Sequence, residues 1–489
     1  MCHFGPALCP NSNCLISPPC RTVASRHGSG AQTRDATPWT HNSNNTTLAG
    51  ETMTVRQSTL DSAATTRRGP WKEIVAASIG NALEFYDLLI YGYFAVVIGK
   101  LFFPSDNETT SLLLSVGSFG ISFLMRPLGA ILLGSYADKA GRKASLTASI
   151  VIMMIGTAMI TFVPSYQEIG LAAPLLIIVA RMLQGFSTGG EFGAATAFMV
   201  EHSDGARRGF FASWQLSTQG LATVLAAGVS ALLSVLLSDA QLNDWGWRVA
   251  FAVGLLIGPV GFYIRSQIDE TPEFRRQAAQ ATEKAPLREV MLEHPARLLL
   301  AIGVVSGATA FNYVHKLYMP TYALKQLHIP ATSSFLGALV TGVALMILAP
   351  VFGGLSDRHG RFRVLTIALL ITGLSSWPLF QLLNTWPSVY TLLLVQALVG
   401  ALIAACLGPI PAMLADIFPT RIRGTGLALS YNFSVTLFGG FAPLIVTWLI
   451  DASGNKMAPS FYVVATATLS VCAVLVLGRR MRGATAAAA

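Results

Sequence analysis

The chain has 489 residues, of which 53% are hydrophobic and only 12% charged, with a formal net charge of +9 at pH 7. Soluble domains carry about 25% charged residues, so this composition excludes a soluble globular protein. The Lys and Arg residues stand in short clusters between long apolar runs, which is typical of membrane loops and not of a nucleic-acid-binding patch. We therefore expect a lipid bilayer to surround the protein and no nucleic acid to bind it.

The first 72 residues differ from the rest of the chain, because they are rich in Ser, Thr, Asn, Pro and Gly and have little that could form a core. Such a composition predicts a disordered N-terminal segment. It has no basic stretch followed by an apolar run, as a secretory signal would. Met53 opens a more ordinary protein start, so residues 1–52 could also be a mis-called start.

From residue 73 onward, apolar runs alternate with short polar breaks, and a spanning helix needs about 20 apolar residues. The twelve candidate spans are 74–98, 111–136, 145–163, 172–200, 209–236, 247–265, 298–322, 333–355, 364–383, 388–415, 424–450 and 459–478. This pattern predicts an all-α membrane protein built from two six-helix bundles. The domains would be a bundle at 73–265, a charged cytoplasmic linker at 266–297, a second bundle at 298–480 and a cytoplasmic tail at 481–489.

The breaks between spans alternate in charge. Those after spans 2, 4, 8 and 10 contain Lys and Arg, as do the linker and both ends of the chain, whereas the breaks after spans 1, 3 and 9 are poor in cations. Because loops rich in Lys and Arg stay on the cytoplasmic side, both termini are predicted to be cytoplasmic.

One loop motif occurs twice. "GSYADKAGRKAS" at Gly134–Ser145 reappears as "GGLSDRHGRFRV" at Gly353–Val364, each between the second and third span of its half. A second repeated pair places Glu201 and Asp416 at the same spacing before an Arg-Gly. The chain therefore reads as two homologous halves, an arrangement that places a substrate site between them near the membrane midplane.

The repeated loops suit a cytoplasmic gate, because each offers an acid to neighbouring helix ends or arginines and basic residues to the anionic membrane face. A structural tie that also sets topology is the alternative. The predicted gate residues are Gly134, Asp138, Gly141, Arg142, Lys143, Asp357, Arg358, Gly360 and Arg361.

Acids inside spans are the first candidates for proton coupling. Glu84 and Asp87 lie three residues apart, so they share a helix face near the middle of span 1, and Glu191 lies in span 4. Charged groups in the membrane are rare and mark ion or proton pathways. The alternative is that one of these acids is a structural partner for a nearby arginine.

Other polar residues of the spans are candidates for binding substrate. They are Arg126, Arg181, Gln184, Gln215, Gln219, Asn312, His315, Lys316, Tyr431 and Asn432. An arginine can hold a carboxylate with two hydrogen bonds, although Arg181 could equally be the counter-ion of Glu84 or Asp87. The glutamines could instead join helices, and His315 and Lys316 could face water at the outer end of span 7.

Several quoted stretches resemble one family. The paired G-x-x-x-D-[RK]-x-G-R loops resemble the major facilitator superfamily over about residues 72–480. "GNALEFYDLLIYG" (Gly80–Gly92), "ARMLQGFSTGGEFG" (Ala180–Gly193) and "FPTRIRGTGLALSYN" (Phe418–Asn432) are similar to its metabolite:proton symporters. The resemblance implies a multi-pass transporter of the bacterial inner membrane that couples substrate uptake to proton entry.

Carriers in that family take citrate, 2-oxoglutarate, shikimate, or proline and betaine, and this chain looks most similar to the citrate and 2-oxoglutarate members. We expect a symporter for a small di- or tricarboxylate, with a zwitterionic osmolyte or shikimate as the alternative. The sequence has no nucleotide loop, hydrolase elbow or metal-spaced His and Cys residues in its membrane part, which argues against an enzyme. We expect a monomer that needs no cofactor or metal and is driven by the proton gradient.

Overall fold

Apolar runs of spanning length form helices because only helices satisfy their own backbone groups in lipid. The computed structural model describes residues 71–140, 142–189, 207–266, 286–419 and 422–488, together with Thr196 and Met199. Throughout these residues the secondary structure is helical and no strand occurs. The all-α prediction is confirmed, while the predicted disordered segment lies almost wholly outside the described residues.

The first half contains nine α-helices and one π-helix among the described residues. They are α1 (Trp71–Tyr93), α2 (Ala95–Phe102), α3 (Glu108–Ala140), α4 (Arg142–Phe162), α5 (Tyr166–Ile169), α6 (Ala172–Gly189), α7 (Arg208–Leu236), α8 (Asp239–Gln241), π1 (Leu242–Gly246) and α9 (Trp247–Ser266).

The second half begins with a short helical stretch within the predicted linker. Its elements are α10 (Pro286–Arg288), π2 (Glu289–Glu293), α11 (Pro295–Asn312), π3 (Tyr313–Tyr318), α12 (Met319–Gln326), α13 (Ala331–His359), α14 (Arg361–Thr385), α15 (Val389–Leu407), α16 (Ile410–Ile417), α17 (Arg423–Ser434), π4 (Val435–Gly440), α18 (Ala442–Ser453) and α19 (Ala458–Ala488).

Each of the twelve predicted spans coincides with helix in the part of the chain that the structure describes, the fourth being followed only to Gly189. Nine of the described helices are long and apolar enough to cross a membrane. The fourth helix contributes a shorter apolar stretch at Thr147–Phe162.

The first span departs from its prediction as a single helix over 74–98. It breaks at Phe94, and the helices before and after the break are bent by 68° relative to each other. Counted as one span, this bent pair raises the number of described spans to ten. Apolar content predicts that a segment crosses the bilayer, but it does not report a change of direction within the segment.

Two π-helices interrupt spans of the second half, π3 in the seventh and π4 in the eleventh. A π-helix inserts about one extra residue into a helical turn and occurs frequently at functional sites. The inserted residue rotates everything that follows, so side chains in and after π3 occupy positions that ordinary helical spacing does not give.

The two halves meet most closely along α7 and α13. A Cβ added to Gly220 would lie 2.5 Å from the backbone nitrogen of Met346, and one added to Gly342 would lie 2.9 Å from the backbone nitrogen of Val224. Ser217 also donates a hydrogen bond of 2.6 Å to the carbonyl of Met346. Glycines permit this backbone approach because they have no side chain, and helices in lipid commonly associate through such small residues.

Candidate transport site between the two halves

Arg181 lies in the interior of the first half and is held by neutral partners. Its Nη1 donates to Gln184 Oε1 at 2.6 Å and its Nη2 to Ser122 Oγ at 3.2 Å. The guanidinium also lies 4.3 Å from the centroid of the Tyr91 ring. A cation stacked on an aromatic face and bonded to an amide is stabilised without a direct ion pair.

Asp87 reaches Arg181 through a chain of hydrogen bonds. Thr157 donates its hydroxyl to Asp87 Oδ2 and accepts a bond of 2.9 Å from Gln184 Nε2. Gln184 in turn binds Arg181. The acid and the base, which the sequence analysis considered as a possible pair, are therefore linked through two neutral side chains from α4 and α6.

Both acids of α1 face helices of their own half. Glu84 and Asp87 line a cavity of about 20 Å³, together with Thr157 and Gly254 and neighbouring residues of α4 and α9. The volume is about that needed by one water molecule. Gly254 is required here because a Cβ would collide with Asp87 Oδ1, an oxygen with no hydrogen-bond partner among the described residues.

Two other cations lie where the halves meet. The Arg126 guanidinium is 4.1 Å from the centroid of the Phe123 ring, and Tyr313 of the second half is close enough to interact with it. Lys316 Nζ is 5.3 Å from the centroid of Phe85 on α1, and its side chain is 99% buried. Arg126 Nε and Lys316 Nζ have no hydrogen-bond partner among the described residues.

Predicted amide side chains surround the same region with unused polar atoms. Asn432 donates to the carbonyl of Gly189 at 3.0 Å and so joins the halves. Gln215 accepts from Thr196 at 2.5 Å, and Tyr431 interacts with Gln219. Four amide atoms have no partner in the described residues: Gln215 Nε2, Gln219 Nε2, Asn312 Oδ1 and Asn432 Oδ1.

His315 lies apart from these residues. Its ring centroid is 4.6 Å from that of Phe311 and 5.0 Å from that of Phe380, within the second half. Gln396 donates to its backbone carbonyl at 3.1 Å. The predicted binding residues thus fall into three places: the first half's interior with Arg181 and Gln184, the region between the halves, and the second half's interior with His315.

The second copy of the repeated loop ties the halves together. Asp357 Oδ1 accepts from the backbone N–H of Gly209 at 2.8 Å, and its Oδ2 accepts from that of Phe210 at 3.0 Å. Arg361 binds both Asp357, at 3.2 Å, and Asp416. The carboxylate therefore caps the first turn of α7, where backbone donors are free.

Two other predicted gate residues of the second copy lie at the C-terminal end of α13. Arg358 is exposed, and Gly360 has a φ of +91°, which favours glycine at the turn between α13 and α14. The side chains of the first copy lie outside the described residues, as does Glu191. These first-copy residues are Gly134, Asp138, Gly141, Arg142 and Lys143.

A further tie joins the halves at the opposite end of the bundle and was not predicted. Lys325 donates to Glu108 at 2.6 Å, and Lys100 lies 3.3 Å from the same carboxylate. Nearby, the hydroxyls of Ser234 and Thr332 are 2.9 Å apart. These charges stand at the ends of predicted spans, but their sequence separation hides the pairing.

Paired bundles with buried charges between them, closed by ties at both ends, define a transporter of the alternating-access class. Family models agree: "Sugar (and other) transporter" matches residues 73–286 and "Major Facilitator Superfamily" matches residues 317–488.

The chain is also similar in sequence to curated proteins over most of its length. The chain is 36% identical to the citrate-proton symporter of Klebsiella pneumoniae over 83% of this chain and 91% of that protein. It is 35% identical to the proline/betaine transporter of Escherichia coli (strain K12) over 85% of this chain and 86% of that protein. Among solved structures, a D-xylose-proton symporter shares the fold with a TM-score of 0.66 at 20% identity, covering 83% of this chain and 97% of that one.

The chain belongs to the major facilitator superfamily and, within it, to the family of metabolite:proton symporters. It is a multi-pass membrane transporter and not an enzyme. The family predicted from the repeated loops is confirmed.

Proposed function

We propose that this protein is a proton symporter for a small organic acid, most simply a di- or tricarboxylate such as citrate or 2-oxoglutarate. The observation that carries the proposal is the pair of cations, Arg126 and Lys316, buried between the halves. No acid forms an ion pair with either of them among the described residues. A buried charge without a partner is costly, so a bound anion would stabilise both.

The position of the acids supports an anion over a zwitterion. A zwitterion presents a positive group that needs a carboxylate or an aromatic cage. Glu84 and Asp87 line a cavity with α4 and α9, and Arg126 already occupies the face of Phe123. Cations would therefore repel the ammonium of betaine in the region where they attract a carboxylate.

The same buried charges would couple proton binding to anion binding. Protonation of Asp87 removes one negative charge from the buried interior and leaves Arg126, Arg181 and Lys316 to attract an anion. Release of the proton restores the negative charge and weakens anion binding. By linkage, the bound anion favours the protonated carboxyl to the same extent. The Thr157–Gln184 chain supports this role, because it holds Asp87 and Arg181 in one network.

Other aspects of the proposal come from loop charge and from the relatives. The transporter would reside in a bacterial inner membrane with both termini in the cytoplasm, work as a monomer and use no cofactor beyond the proton gradient. The relatives' names divide between citrate and proline or betaine, so an osmolyte symporter is the second candidate.

Uptake of labelled citrate into proteoliposomes under an inward proton gradient tests the proposal, with unlabelled 2-oxoglutarate, shikimate and betaine as competitors. We expect uptake that a protonophore abolishes and that carboxylates inhibit. Loss of a buried charge partner costs about 2–5 kcal/mol, so Arg126→Gln and Lys316→Gln should each lower kcat/KM by about 30-fold or more. Lys456→Gln, which changes an exposed lysine, is the matched control.

Two results would contradict the assignment. Uptake of betaine without uptake of any carboxylate would favour the osmolyte symporter. Equal kcat/KM for Lys316→Gln, Arg126→Gln and Lys456→Gln would remove the two cations from the site.

A further inference from the structure

Three polar side chains inside the second half have unused hydrogen-bonding atoms. His315, Ser376 and Gln396 are each 0% exposed. Both ring nitrogens of the histidine, the serine Oγ and the glutamine Oε1 have no partner among the described residues. A buried polar atom without a partner has lost its hydrogen bonds to water and is costly, so four such atoms call for a reason.

The elements that carry these three side chains pack against one another. Gln396 Nε2 binds the backbone carbonyl of His315 at 3.1 Å. The histidine ring lies 5.0 Å from the ring of Phe380. Ser376 precedes Phe380 by one turn of α14 and therefore shares its face. Spans 7, 9 and 10 thus supply an imidazole, a hydroxyl and an amide to one buried region.

The first half has a similar set of side chains in the corresponding spans. Asp87, Thr157 and Gln184 come from spans 1, 3 and 4 and supply a carboxylate, a hydroxyl and an amide. Thr157 and Ser376 are 219 residues apart, which is also the separation of Asp138 and Asp357 in the repeated loops. Asp87 and His315, however, are 228 residues apart, and Gln184 and Gln396 are 212 apart. The two hydroxyls are therefore equivalent under the internal repeat, whereas the clusters correspond span by span and not residue by residue. One cluster is linked by hydrogen bonds and the other is not.

The chemistry of the second cluster suits a proton. Neutral imidazole has one donor and one acceptor, and the protonated ring has two donors. Gln396 Oε1 and Ser376 Oγ are acceptors of the kind that a protonated ring needs, and neither bonds the ring or another donor among the described residues. The Phe311 and Phe380 rings lie in contact with the imidazole, and aromatic rings can stabilise a nearby cation. His315 lies within π3, an element type that is common at functional sites.

Other titratable groups around π3 leave this role to His315. Lys316 points to Phe85, Tyr93 of α1 donates to the carbonyl of Lys316, and Glu84 and Asp87 face α4 and α9. The remaining groups are Tyr313 and Tyr318 on π3 itself, Arg126 and Tyr431, which lie near Tyr313, Tyr322 on α12, which donates to the carbonyl of Lys456, and Cys406 on α15, which pairs with Thr372. In the described residues of α13, α14, α18 and π4, charged side chains occur only near helix ends.

We propose that His315, Ser376 and Gln396 form a second proton-binding site, in the spans that correspond to those of the Asp87 cluster, so that each half carries a proton during transport. This inference rests on the proposed proton symport. It assigns His315 to an internal site and leaves the substrate to Arg126 and Lys316.

Two measurements on the full-length protein in lipid test it. The first is the proton-to-substrate ratio, from the membrane potential that stops net uptake in proteoliposomes. We expect His315→Gln to transport substrate with a ratio lower by about one proton. His328→Asn, which changes an exposed histidine with a positive φ of 55° that Asn tolerates, should keep the wild-type ratio.

The second measurement is the ¹⁵N NMR signal of the His315 ring, assigned by its absence in His315→Gln. We expect the ring to change protonation when pH is varied or citrate is added, and Ser376→Ala to shift the signal. The serine variant loses a single oxygen and guards against misfolding of the histidine variant.

An unchanged ratio in His315→Gln would overturn the proposal, as would a ring signal that keeps one protonation state throughout. If the wild type shows no proton-driven uptake of any tested substrate, the proposed function fails. The NMR signal then decides the site alone, since a ring that changes protonation supports it and a ring that does not overturns it.

Discussion

The two ends of the bundle are tied by different chemistry. At one end, Asp357 has a side chain only 6% exposed and binds two backbone N–H groups of α7 as well as Arg361. At the other end, Glu108 is 65% exposed and binds flexible lysines. Buried charge-assisted bonds are worth much more than exposed ion pairs. We therefore expect the halves to separate more readily at the Glu108 end.

The largest effect is expected from removing the charge of Asp357. Asp357→Asn replaces one acceptor oxygen by a donor that faces another donor. Bonds to a charged group are worth about 1.5–3 kcal/mol, so the population open at this end should rise by roughly 10- to 150-fold. Spin labels at Arg207→Cys and His359→Cys, both exposed, would report a longer distance.

Asp451→Asn is the control for this variant, because Asp451 is an exposed acid at the end of α18. Identical distance distributions in Asp357→Asn and Asp451→Asn would remove the contrast between the two ends.

A proton-coupling variant should have the next effect. Asp87→Asn keeps the shape of the carboxyl but cannot release a proton, so accumulation against a gradient should fall well below the wild type, to what the proposed His315 site alone can drive. Exchange of labelled for unlabelled substrate should persist, because it needs no net proton movement. Proteoliposome uptake and exchange measure the two, with the exposed Asp106→Asn as the control. Undiminished accumulation in Asp87→Asn would exclude this acid as a proton carrier.

A smaller effect is expected from a change in the glycine contact that lies between the two ends of the bundle. Gly220→Val would place a side chain against the Met346 backbone, and overpacking costs about 1–3 kcal/mol. We expect slower transport together with longer distances between spin labels at both ends. Gly228→Val is a matched control on the same helix, since its Cβ would meet only Leu339 Cδ1 at 3.9 Å. Equal transport by the two valine variants would contradict close packing at Gly220.

The smallest effect belongs to Glu108→Gln. Exposed ion pairs contribute about 0.2–1 kcal/mol and are screened by salt. Labels at Asn107→Cys and His328→Cys, both exposed, should show a modest increase in distance at low ionic strength that disappears at high salt. A shift as large as that of Asp357→Asn would reverse the proposed order of the ends.

Features encoded locally were predictable. The apolar runs predicted the spans, because the transfer of a segment into lipid depends on its own composition. The repeated loop predicted that its acid meets a helix end, as Asp357 does. The side of α1 that carries Asp87 was not predictable, because it depends on packing against α4 and α9. Thr157 gave no signal either, since a hydroxyl in an apolar helix usually bonds its own backbone.

Other parts of the site depend on contacts between distant segments. His315 and Lys316 are adjacent, but His315 contacts Phe311 and Phe380 whereas Lys316 faces Phe85 of the other half, and this division depends on how the spans pack. Glu108 and Lys325 are 217 residues apart, so no local pattern joins them.

The glycine contact between α7 and α13 has a mechanical consequence. It lies midway along α7, between Gly209 at the Asp357 end and Ser234 at the Glu108 end. Backbones that touch without long interlocking side chains can roll over each other at low cost. The contact can therefore act as a pivot between the halves, so that opening the bundle at one end closes it at the other. Both ends would be open together, and a continuous pore would form, only if the glycine contact itself separated.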